Sequence, residues 1–181
     1  VRQVIRPDES RWGHQNFLEL MKITFIQAGG TIDKAYPATE TTHGYNFEIG
    51  DPAFLAILQK INHSLEIDSL SVVKKDSLDF TDADRQAVWE AVQAVPHENI
   101  IITHGTDTIY QTAKKLSSIK NKKVILTGAM LPAEFSKSDA MFNLGMAVGA
   151  IQTLPNPGIY IALYGAVIPW DQYPALAQAN S

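Results

Sequence analysis

Two threonines, a serine and an aspartate give this sequence its capacity for chemistry. Thr31 follows Gly29-Gly30, Ser77 follows Asp76, and Thr106 and Asp107 follow His104-Gly105. A hydroxyl attacks only when a neighbouring group takes its proton. A nearby carboxylate can hold an ammonium through charge-assisted hydrogen bonds and so fix how a substrate is presented. Together these groups suggest attack by a hydroxyl on a small, amino-acid-like ligand. Gly30 and Gly105 stand where a backbone could approach such a ligand closely. The familiar serine hydrolase elbow, Gly-x-Ser-x-Gly, is missing. His104 adjoins the Thr-Asp segment and reads as a core or supporting residue with its ring satisfied locally. A plainer role competes for Thr106 and Asp107, since either could cap the helix that follows.

The four residues can act together only if the fold brings them to one place. Asn99 to Thr103 is an apolar, β-branched run that reads as a strand buried on both faces. Similar runs predict strands at 23–28, 65–73, 123–127 and 159–164, with Val167-Ile168 a short strand or hairpin arm. Between them fall helical patterns. Asp51-Pro52 opens one with Phe54, Leu55, Ile57, Leu58 and Ile61 as its apolar stripe. Thr81 and Asp84 resemble a capping box for a second, which Pro96 ends. A third spans about 108–117, and a fourth runs from Asp139 as cap to about Gln152. This alternation predicts an α/β fold, a three-layer α/β/α arrangement with a mostly parallel, flavodoxin-like doubly wound sheet. Ligands bind such sheets beyond the carboxyl ends of the strands, which is where Thr31, Ser77, Thr106 and Asp107 all fall. The long polar segment from Lys34 to Gly50 reads as a lid or binding loop. Residues 1–20 read as a leader or flexible extension, 21–181 as a single catalytic domain, and Ala175 to Ser181 as a tail.

Composition narrows the classes. The 181 residues carry a net charge of -4 with no basic stripe, a poor match for nucleic acid or an anionic membrane. With no cysteine, disulfides, thiolate zinc sites and cysteine nucleophiles are excluded, and a reducing, cytoplasmic setting fits. The five histidines are scattered, so no metal is expected. The glycines match neither a dinucleotide fingerprint nor a P-loop, and no cofactor is expected. No apolar run approaches the ~20 residues of a membrane helix. The expected partner is a small-molecule substrate, with a homo-oligomer suggested by open sheet edges.

Three segments carry a resemblance. Gly29-Gly30-Thr31-Ile32 and His104-Gly105-Thr106-Asp107-Thr108 are similar to the two signature segments of the bacterial-type asparaginase/glutaminase family. Thr127-Gly128-Ala129-Met130 with Pro132, then Ser138-Asp139 and Phe142-Asn143-Leu144, resembles a third. The resemblance spans about Met21 to Trp170, the N-terminal domain of that family. It implies hydrolysis of the side-chain amide of L-asparagine, with selectivity against L-glutamine left open, through an acyl-enzyme.

Residue by residue, the resemblance makes Thr31 the nucleophile and Thr106, Asp107 and Lys122 a second triad, with Lys123 the rival to Lys122. It also implies that Asp107 binds the α-ammonium and Ser77 the α-carboxylate. Gly30, Leu78, Gly105, Thr106, Ala129 and Met130 would complete the substrate's surroundings. A tyrosine of the loop after the nucleophile should assist Thr31. Tyr45 is preferred by its place in Gly44-Tyr45-Asn46-Phe47, and Tyr36 is the competitor. Departures from the family pattern are Asp33 in place of a small residue, Leu131 in place of an arginine and Leu78 in place of a common Gln. Family members also carry a second domain that helps complete a neighbouring subunit's site. Two other readings stay open: a non-catalytic amino-acid-binding domain, and the amidase subunit of a transamidation complex.

Overall fold

A computed structural model of the chain describes residues 3–5, 21–36, 47–61 and 63–180. A seven-stranded sheet runs through its centre. The strands are β1 (Gln3–Ile5), β2 (Lys22–Gln27), β5 (Glu66–Ser71), β6 (Asn99–Thr103), β7 (Lys123–Thr127), β8 (Gly158–Leu163) and β9 (Ala166–Pro169). Their order is β1-β5-β2-β6-β7-β8-β9. The inner five are parallel, and β1 and β9 pair antiparallel at the two edges. β3 (Lys34–Ala35) and β4 (Glu48–Ile49) form a separate two-residue ladder beside the turn Thr31–Asp33. The parallel core has the flavodoxin-like 2-1-3-4-5 order expected from the sequence. Gln3–Ile5 comes from the segment read as an extension, and it lies paired on Ile67 to Ser69.

Apolar clusters on both faces of the sheet make the three layers. On one face, Phe25, Ile101 and Ile125 pack against Phe54, Ile57 and Leu58 of α1 (Ala53–Gln59) and Leu144, Ala147 and Ile151 of α4 (Ala140–Thr153). On the other, Ile26, Ile100 and Ile102 pack against three helices: α2 (Asp82–Ala94), α3 (Ile109–Leu116) and α5 (Tyr173–Ala179). Alternate residues of each strand therefore face different helical layers, as the pleat requires.

Positions of helices relative to the sheet also give the hand of the connections. The steps β6-α3-β7 and β7-α4-β8 move the same way across the sheet, yet α3 and α4 lie on opposite faces. The two crossovers thus have opposite hands. The α1, α2 and α3 crossovers share the usual right hand, and the α4 crossover is left-handed.

Several local expectations change. Thr81 and Asp84 do form the reciprocal capping box of α2. Asp51 does not start α1, because Pro52 occupies the cap and Asp51 pairs with Lys74 instead. Ile61 falls beyond α1 and is exposed. Asp139 stands at the N-cap of α4 but makes no cap bond to it. The expected tail at 175–180 lies within and just after α5, whose Tyr173, Leu176 and Ala177 pack on the core.

Candidate active site

The strand order reverses between β2 and β6, which neighbour each other although β5 intervenes in the chain. At such a switch point the loops on the two sides turn apart and leave a crevice. Thr31 stands just past β2 and Thr106 just past β6, so the two residues stand on either side of that crevice.

Backbone contacts hold the loops together. Ala28 N donates to Thr103 O at 2.9 Å, Gly30 N to Lys75 O at 3.0 Å and His104 N to Thr127 O at 2.8 Å. Thr108 Oγ1 donates to Ser77 O at 2.7 Å. The closest approach is backbone on backbone. A Cβ on Gly30 would overlap the N and Cα of Gly105, and one on Gly105 would overlap the Oγ of Ser77. Gly30 also has φ +89°, a conformation L side chains rarely adopt. Four loops, from β2, β5, β6 and β7, therefore meet at one rim.

Ser77 is fully buried, and its Oγ has no hydrogen-bond partner among the described residues. A buried hydroxyl without a partner is costly. Thr31 and Thr106 are half-buried and Asp107 is exposed. Gly105, not Thr106 or Asp107, stands at the cap of the 3-10 turn Thr106–Thr108. Thr108 is the cap residue of α3, with no side-chain cap bond. The capping role that competed for these two side chains is therefore not the one they perform. Tyr173 and Tyr164 are hydrogen-bonded to each other near Asp107, and burial with that bond pushes the Tyr173 phenol well above its usual range.

His104 sits behind the site as expected. It is fully buried, with Thr112 Oγ1 and Gly105 O each 2.8 Å from its ring nitrogens and the Phe80 ring against it. Burial lowers its pKa to about 4, so the ring is neutral at physiological pH. On the far side, Asp139 accepts from Met130 N at 2.9 Å and Leu131 N at 3.3 Å. Asn143 Nδ2 donates to Gly128 O at 3.0 Å and to Asp139 Oδ2 at 2.8 Å. The third resembling segment thus shapes the loop beside Thr106. Ala129 is buried, while Met130 and Leu78 are exposed on the rim.

Lys122 is the correction. It precedes β7, at the opposite end of the sheet from Thr106, and is only 5% exposed. Its Nζ donates to the carbonyls of Val95 and His97. Burial lowers its pKa, but the ammonium ties strand starts together and does not reach the threonines. Lys123, the rival, also lies at that end, near Glu98. Of the tyrosines, Tyr45 lies outside the described residues. Tyr36 is 57% exposed, its ring centroid 4.8 Å from that of Phe47, and among the described residues it makes no hydrogen bond to Thr31.

Asp33 stands out in the sequence only as a departure, and it is the buried carboxyl of the site. It is 2% exposed, accepts from Ala53 N at 2.8 Å and faces Thr103 Oγ1 at 3.4 Å. Loss of hydration raises its pKa to about 7, against the lowering effect of its hydrogen bonds and of Lys74.

Residues 22–170 match the family profile described as "Asparaginase, N-terminal". The chain belongs to the asparaginase family. It is 32% identical over 156 residues to an L-asparaginase of Thermococcus kodakarensis, a match covering 82% of this chain and 45% of that one. It is 43% identical over 159 residues to a glutamyl-tRNA(Gln) amidotransferase subunit of Methanococcus maripaludis, covering 81% and 36%. Among solved structures, the thermostable L-asparaginase of Thermococcus kodakarensis superposes with TM-score 0.71 at 29% identity, covering 83% and 46%. The chain spans less than half the length of these asparaginase-family relatives.

Two outcomes follow. Lys122→Met should lower stability by about 1–3 kcal/mol, because the carbonyls of Val95 and His97 lose their donor; urea denaturation measures the loss. Asp33 has a folded pKa above its unfolded value of 3.8. Its contribution to stability is therefore complete below about pH 4 and lost as pH rises through about 7. Asp33→Asn should flatten that decline in unfolding free energies measured between pH 4 and 9.

Proposed function

We propose that this chain is an amidohydrolase that converts L-asparagine to L-aspartate and ammonia, with Thr31 as nucleophile. The observation that carries the reading is the meeting of Thr31, Ser77, Thr106 and Asp107 at the switch point, locked by the Gly30–Gly105 contact. Asp107, exposed beside the crevice, suits the substrate's α-ammonium through a charge-assisted bond. The unpartnered Ser77 hydroxyl suits its α-carboxylate. With the zwitterion held there, the side-chain amide is directed toward the threonines.

In the first half-reaction Thr31 Oγ bonds to the amide carbon, the C–N bond breaks, and ammonia leaves with the proton Thr31 gave up. In the second, water attacks the resulting ester, its O–H proton returns to Thr31, and aspartate is released. Backbone N–H groups on the loop holding Thr106 would steady the oxyanion. The proton acceptor we assign to Thr31 is Tyr45, because the Tyr36 ring is taken up by Phe47. Thr106 and Asp107 act without Lys122. The substrate's side-chain end is bounded by few described groups, and one methylene is worth only about 1–3 kcal/mol of discrimination, so glutamine should also turn over, more slowly.

A second reading is favoured by the 43% identity to an amidotransferase subunit. Here the same amide hydrolysis would hand its ammonia to a partner protein, and the rate would depend on that partner.

Ammonia release from L-asparagine should be measured for the purified chain and for Thr31→Ala and Asp107→Asn. We expect loss of turnover in Thr31→Ala with retained stabilisation by aspartate, and a large rise in KM in Asp107→Asn. Unchanged turnover in Thr31→Ala removes the assignment. Stabilisation by aspartate with no turnover in the parent chain would point to a binding domain.

A further inference from the structure

Asp33 is the one residue of the nucleophile segment that departs from the family pattern and is also wholly buried. The turn that bears Thr31 is short, Thr31–Asp33, closed by Asp33 N donating to Gly30 O at 3.1 Å. Three residues alone cannot fix a nucleophile, so the turn needs holding from outside. Asp33 supplies this from two sides. Its Oδ1 accepts the first amide of α1, from Ala53, at 2.8 Å. Its Oδ2 faces the hydroxyl of Thr103, the last residue of β6. The main chain adds a third tie. Gly50 N donates to Asp33 O at 2.8 Å, Gln27 Nε2 donates to Gly50 O at 3.0 Å, and Ser71 Oγ donates to Gln27 Oε1 at 2.6 Å. On its other flank, Ala133 N donates to Ile32 O at 3.1 Å.

We infer that Asp33 is a positioning residue for Thr31, its carboxyl bridging the start of α1 and the end of β6 so that the nucleophile's turn keeps a fixed distance from Thr106. This rests on the reading of Thr31 as nucleophile. The bridge also explains how α1 begins, since Pro52 at its cap offers no side-chain acceptor and Asp33 takes that place. The charged groups around it leave the carboxyl without an ion pair among the described residues. Lys74 acts on it from the loop after β5 but is paired with Asp51. Lys34 is paired with Asp76. Lys60 and Glu134 line the 480 Å³ cavity beside Asp33, with Asp51 and Lys34. Ala53 N and Thr103 Oγ1 both donate to the carboxyl, so it holds the turn as an acceptor; an asparagine of the same shape keeps the oxygen for Ala53 and can donate to the Thr103 oxygen in return.

The test uses Asp33→Ala and Asp33→Asn with two readouts, asparagine hydrolysis and amide hydrogen exchange over residues 29–36. In Asp33→Ala, kcat should fall roughly tenfold or more, as displacement of a reacting group by a fraction of an ångström does, with KM little changed. Asp33→Asn should recover most of kcat. Amides of the turn should exchange faster in Asp33→Ala and be protected again in Asp33→Asn. If Asp33→Ala does not fold, Thr103→Val removes one arm of the bridge and should show the same effects, smaller. Unchanged kcat and exchange in folded Asp33→Ala, or in Thr103→Val where that variant stands in for it, overturns the inference, as does a failure of Asp33→Asn to restore them. A parent chain without turnover defeats the assignment of Thr31 alone. The exchange arm then still decides whether Asp33 holds the turn.

Discussion

Contact between two glycine backbones, Gly30 and Gly105, sets the geometry of everything around the crevice. Side chains of any size at either position would push the loops after β2 and β6 apart. Separation would move Thr31 from Thr106 and uncover Ser77, whose hydroxyl fills the space a Gly105 side chain would need. The parallel sheet supplies the coarse placement by ending these strands at the same edge. The glycines supply the last few ångströms, and main-chain hydrogen bonds to Thr103, Lys75 and Thr127 keep them. The hydroxyl chemistry we propose would depend on that fine placement.

Much of this is legible in the sequence, and the reason is physical. Ile100-Ile101-Ile102 could hardly be anything but a strand buried on both faces, and polar residues directly beyond such a strand must lie at its carboxyl edge. That rule alone locates Thr31, Ser77, Thr106 and Asp107. The same rule applied to Lys122 excludes it, since a residue before a parallel strand belongs to the other edge. Motif register and topology disagree there, and topology is the better guide. Asp33 and Asp139 are harder. Each looks like an ordinary turn or cap residue, and its role is defined by partners far along the chain: Ala53 and Thr103 for one, Met130 for the other. Short-range spacing carries no trace of such contacts. The helix at Tyr173–Ala179 escapes a sequence reading because its small residues show little periodicity, and only packing on the core decides it.

Charge is distributed around the rim in a consistent way. Lysines near the crevice are engaged with carboxylates, Lys34 with Asp76, Lys74 with Asp51 and Lys75 with Asp84. Asp107 stands exposed. His104 and Asp33, buried behind the loops, are both held toward their neutral forms by loss of hydration. Asp107 is thus engaged by no lysine among the described residues, as the proposed contact with an ammonium would require, while the supporting layer adds little field of its own.

The left-handed α4 crossover bears on how the chain assembles. Right-handed units close as soon as strand and helix are made, because the twist of the strand favours that return path. The α4 unit has no such help, and its helix must cross to the opposite layer before β8 can pair with β7. The segment from Gly128 to Asp139 is tied to α4 through Asn143 and Asp139 and to the turn at Thr31 through Ala133. Ordering of the wall beside Thr106 thus waits on α4 as well as on its own strand.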